Sequence, residues 1–300
     1  MKPNTPHAVF TPEHSIALGG HFYLFRNLQH TIFGIYHCFV VDNIITNTEH
    51  PEARVLLFRM MEYLYKFYVR GADPKSKCFA FFYKCFADVG LENNAQHLPD
   101  VTHFRSLVDI FALCNFCVLA NVLDFNTYQF PLSRGGKPSP HDIRLRTQYD
   151  YNALTPVQRR YFTYIRGLAL NFIFWMDCNY TLVKPNSQRS IVEIWVVYLT
   201  QQAYSLLNYK RRAEEQSVRG IINCKAAEVK RQLEYVLCEN AWVKGIDFDQ
   251  DLTDYDCFSF EFYYWEVKKL TEPFAFNGKP LLPFHPVKTL SYPHRRELTL

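Results

Sequence analysis

Between Val101 and Leu123 the sequence VTHFRSLVDIFALCNFCVLANVL predicts a helix of near-continuous apolar character, and from Leu107 onward Asp109, Asn115 and Asn121 are its polar interruptions. A helix with no polar face must be surrounded by other elements, so this segment predicts a central position in a packed helical layer. The same three polar residues argue against a membrane span, and the apolar run Leu168–Met176 is too short for one. With 300 residues, of which 48% are hydrophobic and 17% aromatic, the chain has material for a sizeable core, which excludes disorder as its general state.

The rest of the chain repeats the helical theme. Pro51 at a first helical position and Glu52 in the first turn open a segment where Val55, Leu56, Met60, Tyr63, Leu64 and Phe67 recur at helical spacing up to Gly71. Thr155, Pro156 and Gln158 form a capping box, in which threonine and glutamine each satisfy an end amide; the helix they start is expected to reach about Met176. Further helices are expected from about Ser190 to Arg212 and from about Arg219 to Trp242. The predicted fold class is therefore mostly α, a helical array preceded by a short β segment: His7–Phe10 and Ser15–Leu18 are short apolar runs around a turn at Thr11, Pro12 and Glu13, ending at Gly19 and Gly20.

This reading divides the chain into strands within 1–30, a helical region over 31–130, a linker or long loop over 131–152, a second helical region over 153–272, and an extended tail over 273–300. The run from Ser133 to Pro140 is turn chemistry too polar to pack. The aromatic block Phe258–Trp265 fits either strand or helix.

A net charge of +4 singles out neither nucleic acid nor an acidic surface as partner. Nine scattered cysteines, several inside apolar runs, are the usage of buried thiols in a reducing compartment, and the first residues lack the apolar core of a signal peptide. An intracellular location is expected, with a nuclear one compatible.

His7-Ala8-Val9, Thr11-Pro12, Ser15, Gly19-Gly20 and Phe22 carry a more specific pattern. Their spacing resembles the C-terminal end of a JmjC domain of the lysine-demethylase type, around its final histidine. The resemblance implies a strand that delivers the imidazole into the mouth of a double-stranded β-helix, and an oxygenase that uses Fe(II) and 2-oxoglutarate. It also implies that His7 is the last of three iron ligands, two histidines and a carboxylate. The family's His-x-Asp or His-x-Glu pair, and its lysine and threonine or tyrosine for 2-oxoglutarate, would lie upstream of the matching segment. Only His7 carries over, so no catalytic or cosubstrate residue is assigned and no bound cofactor is expected of this chain alone. His21 stands where some related proteins have asparagine. The partner implied is a histone or another protein, with no direct nucleic-acid contact and no membrane.

Other chemistry-like patterns have simpler readings. His50-Pro51-Glu52 spells His-x-Glu, but proline and glutamate there serve a helix start. His14, His21, His30 and His37 match neither a strand face nor a zinc signature. Cys114-Asn115-Phe116-Cys117 spells CxxC inside an apolar helix rather than at an exposed helix start, which makes it core. Cys78 and Cys85 lack a second close pair. Gly135-Gly136-Lys137 lacks the full phosphate-loop spacing. Lys210-Arg211-Arg212 and His294-Arg295-Arg296 read as a helix end and a solvated tail. A non-catalytic helical interaction or scaffold protein is the alternative to an oxygenase fragment.

Overall fold

A computed structural model describes residues 13, 25–41, 51–71, 99–129, 153–216, 224–237, 248 and 265–271. A 3-10 turn, Phe25–Asn27, leads into α1, Leu28–Val40. Helix α2 spans Pro51–Leu64 and runs on into a π-helical turn, Tyr65–Val69, which closes at Gly71 with a positive φ of 58°. Helix α3 is Phe104–Val118 and α4 is Pro156–Asn179. Strands β1, Tyr180–Lys184, and β2, Ser187–Ser190, form a hairpin before α5, Ile191–Gln216. Helix α6, Ala226–Leu237, and strand β3, Glu266–Lys269, complete the described elements.

The apolar segment does occupy the centre. Every residue of α3 from Leu107 to Val118 is buried, and the helix packs against α1, α2, α4 and α5. It is shorter than the pattern predicts, giving way after Val118 to turns that run to a 3-10 turn at Phe125–Thr127. Side chains take over at this end: Arg166 Nε of α4 donates to Val118 O at 3.1 Å, and Arg54 donates to Leu123 O at 2.7 Å. Phe58 of α2 stacks on Phe116 of α3 at 5.1 Å and meets Tyr161 of α4 edge-on at 5.6 Å, joining three helices through one ring.

The capping box forms as expected. Thr155 Oγ1 accepts from Gln158 N at 3.2 Å while Gln158 Oε1 accepts from Thr155 N at 2.9 Å. Helix α4 outlasts its expected end by three residues, to Asn179, and α5 runs to Gln216 rather than Arg212. Of the helix expected over Arg219–Trp242, the structure describes Ala226–Leu237; 219–223 and 238–242 lie outside the described residues.

The hairpin was not anticipated. Tyr180-Thr181-Leu182-Val183 is β-branched and aromatic enough for a strand. Pro185-Asn186 supplies the turn, with Asn186 at a positive φ of 63°, a conformation asparagine tolerates. The three-stranded antiparallel sheet has the order β2-β1-β3, with Lys184 opposite Ser187 and Tyr180 opposite Lys269.

The strands expected at His7–Phe10 and Ser15–Leu18 lie outside the described residues, and the boundary placed after residue 30 falls inside α1. The segment 131–152, the block before Trp265 and the tail 273–300 also lie outside them. Helices from both sides of 131–152 contribute to one hydrophobic core.

Candidate functional site

The sequence candidates are dispersed. His7, His14 and His21 lie outside the described residues, as do Cys78, Cys85, Gly135–Lys137 and His294–Arg296. His30 and His37 are exposed on α1, where His37 stacks on Phe33 at 5.8 Å. Pro51 and Glu52 open α2, the position that a helix start requires; His50 lies outside the described residues. No group of three His, Cys, Asp or Glu able to hold a metal ion occurs among the described residues.

Cys114 and Cys117 are fully buried in α3, with Cys114 Sγ 4.0 Å from Met61 Sδ. Burial pushes the Cys117 thiol well above its ordinary value, and the neighbouring Cys114 and Glu62 add to this; burial raises Cys114 as well. Neutral thiols in an apolar helix are poor nucleophiles and poor metal ligands, as expected of core.

Lys210 corrects the reading of the basic triplet as a helix end. The triplet sits before the last turn of α5, and Lys210 is 0% exposed. Its ammonium approaches Val40 O at 3.3 Å and Phe39 O at 3.5 Å, with the Phe39 ring centroid at 5.5 Å. These are the last carbonyls of α1, which carry the negative end of the helix dipole. Arg211 donates to Phe248 O at 2.9 Å, and Arg212 lies over the Tyr209 ring at 5.9 Å.

The same logic accounts for several other buried or half-buried charges, whereas the buried Glu62 is paired with Arg59 and the Tyr161 hydroxyl instead. Asp109 of α3 accepts from Gln29 N at 2.8 Å, at the N-terminus of α1 where Asn27 provides no side-chain cap. Asp177 of α4 accepts from Val192 N at 3.2 Å in the first turn of α5. Glu214 of α5 accepts from Ala226 N at 2.8 Å, the first residue of α6. Arg166 of α4 serves the C-terminal carbonyl of α3 and also reaches the Asn121 side chain. Carboxylates meet helix N-termini and cations meet helix C-termini, each supplied by a different helix.

These caps leave their mark on ionisation. Burial raises Asp109 to about 6 against the opposing effects of the Gln29 amide and Arg105, and burial likewise raises Asp177 against its amide and hydroxyl donors. A polar network at the centre is of the same structural kind: Gln202 Oε1 of α5 accepts from Asn115 Nδ2 of α3 at 2.8 Å and from Tyr36 OH of α1 at 3.3 Å. What sequence reasoning missed is this capping between helices. Its signal was present as single charges inside apolar runs at Asp109, Arg166 and Asp177, whereas Lys210 was masked by the adjoining Arg211 and Arg212.

No protein-family model matches the chain, and neither a curated protein nor a solved structure matches it. No helix among the described residues is long and apolar enough to cross a membrane.

Proposed function

We propose that this chain is the C-terminal portion of a protein related to the JmjC Fe(II)/2-oxoglutarate-dependent protein hydroxylases and histone lysine demethylases, inactive as an isolated chain. The observation that carries the reading is the spacing from His7 through Gly19-Gly20 to Phe22. An iron site of this type needs two histidines and a carboxylate, and the resemblance carries over His7 alone. No step through iron or 2-oxoglutarate is therefore assigned to this chain alone.

The coding sequence upstream of Met1 tests the relationship. An in-frame His-x-Asp or His-x-Glu supports it, and an upstream sequence without either pair overturns it. Iron titration tests the inactivity of the isolated chain, which is expected to bind no stoichiometric Fe(II).

A second reading is a helical interaction or scaffold protein in which the JmjC-like segment is inert. The use of Asp109, Asp177, Arg166 and Lys210 as helix caps favours it, because these buried charges then serve packing rather than catalysis. Stoichiometric iron binding that His7→Ala abolishes would exclude it.

A further inference from the structure

The π-helical turn after α2 presents an aromatic group at the margin of the core. A π turn carries an extra residue and displaces the side chains that follow, a feature often found where a helix serves a site. Here it places Tyr68 beside α4, with its ring 5.7 Å from Trp175 and inclined 41°, and 6.0 Å from Phe172. Trp175 in turn meets Tyr180 of β1 at 6.0 Å and 63°. Three elements thus contribute inclined rings around one indole, and Tyr68, Trp175 and Tyr180 are all partly exposed.

A carboxylate follows directly on the backbone that holds one of these rings. Tyr68 OH donates to Pro99 O at 2.7 Å, which fixes the phenol against the residue before Asp100. Asp100 is exposed, and Thr102 donates to its Oδ1 from both the backbone amide at 2.9 Å and the hydroxyl at 2.7 Å. Those bonds hold its carboxyl below the usual carboxylate range. Its charge reaches the cluster: after burial, Asp100 is among the influences that push Tyr68 up to about 12, and it raises Tyr180 as well.

Some rings elsewhere in the chain carry one of its own cations. Arg70 lies over Tyr65 at 5.7 Å, Lys184 over Trp265 at 4.8 Å and Lys210 over Phe39 at 5.5 Å. Among the described residues no cation lies over Tyr68, Trp175 or Tyr180, although Lys269 stands opposite Tyr180 in the strand register and is exposed.

We propose that Tyr68, Trp175 and Tyr180, with Asp100 at their edge, form a binding site for an N-methylated ammonium cation. Inclined aromatic faces attract a cation through their quadrupoles, and a methylated ammonium loses less hydration on entry than a bare one. The carboxylate supplies the counter-charge without having to be buried. The proposal rests on the described residues alone and does not depend on the JmjC relationship.

The test is a titration of the full chain with choline, followed by the indole Nε1–H resonance that Trp175→Phe removes. Choline is expected to shift this resonance saturably with a dissociation constant of roughly millimolar order, as befits a few cation–π contacts. Its neutral isostere 3,3-dimethylbutan-1-ol is expected to bind at least about fivefold more weakly. Asp100→Asn, on an exposed side chain, and Tyr180→Leu are each expected to weaken choline binding severalfold, while Tyr180→Phe retains it. Free N-trimethyl-lysine compared with lysine separates a protein side chain from a small solute as the source of the cation. Tighter binding of trimethyl-lysine than of choline assigns the site to a modified side chain, and the reverse assigns it to a choline-like solute. Equal binding of choline and the neutral isostere, no saturable shift, or unchanged affinity in both Asp100→Asn and Tyr180→Leu would overturn the proposal.

Discussion

Asp109 and Lys210 hold opposite ends of the same helix. The carboxylate of Asp109 accepts from Gln29 N at 2.8 Å where α1 begins, and the ammonium of Lys210 lies 3.3 Å from Val40 O where it ends. Each sign matches the partial charge of the helix end it meets, and each comes from a different neighbouring helix, α3 and α5. Helix α1 is thereby fixed in position along its axis as well as by its apolar face of Leu28, Ile32, Tyr36 and Phe39.

Removing the ammonium should be costly. Lys210→Met keeps much of the stem's volume but leaves Phe39 O and Val40 O without this buried donor, a loss of about 1–3 kcal/mol. Arg212→Ala, at an exposed neighbour, should stay within about 0.5 kcal/mol of the parent chain. Urea midpoints of the two variants make the comparison, and equal midpoints would show that Lys210 is not a structural cap.

Asp109 makes stability depend on pH in a definite direction. Its folded-state value of about 6 lies above the ordinary 3.8, so between those limits the folded chain binds the proton more tightly than the unfolded one. Its contribution is fully present below the unfolded value and is lost as pH rises through about 6. Asp109→Asn retains an acceptor for Gln29 N without the buried charge. This variant should match the parent below about pH 4 and exceed it at pH 7.5, with a flatter profile between, read from urea midpoints across that range. Asp177, raised in the same direction, leaves part of the slope in place.

The cysteines should separate by environment. Cys114 and Cys117 are fully buried, whereas Cys38 is partly exposed and is raised mainly by burial, with Arg54 opposing. Alkylation of the native chain followed by peptide mass mapping should label Cys38 well before either α3 cysteine, and labelling of Cys114 and Cys117 should await unfolding. Early labelling of that pair would return it to consideration as a reactive CxxC.

Thr155→Ala removes the hydroxyl that accepts from Gln158 N, while Pro156 still favours the helix start. The expected loss is about 1 kcal/mol, and Thr155→Ser should recover most of it. Thermal or urea unfolding of both variants measures this.

The elements legible in the sequence were those specified by local chemistry. The capping box at Thr155 and the proline start at Pro51 depend on residues within one turn, and both appear where the pattern placed them; the apolar helix expected over Val101–Leu123 is central as expected but spans only Phe104–Val118. The roles of Asp109, Arg166 and Lys210 could not be read in this way, because each partner lies between 45 and 171 positions away in the chain. The aromatic site was equally hidden. Tyr68, Asp100, Trp175 and Tyr180 come together only after a π turn, a helix and a strand have all been placed. For His7 the spacing carried a family resemblance, but the ligands that would give it chemistry are not local to it in this sequence.

The small sheet also bears on how the chain is made. Strand β1 has β2 beside it within a few residues, but its other edge waits for Glu266–Lys269, some eighty positions later. During synthesis that edge therefore stays open through the time needed to translate all of α5 and α6, and it offers unpaired backbone to any passing strand. The pairing of Leu182 with Val267 cannot precede translation of Val267, and a nascent chain halted before Glu266 would leave the ribosome without the strand that covers that edge.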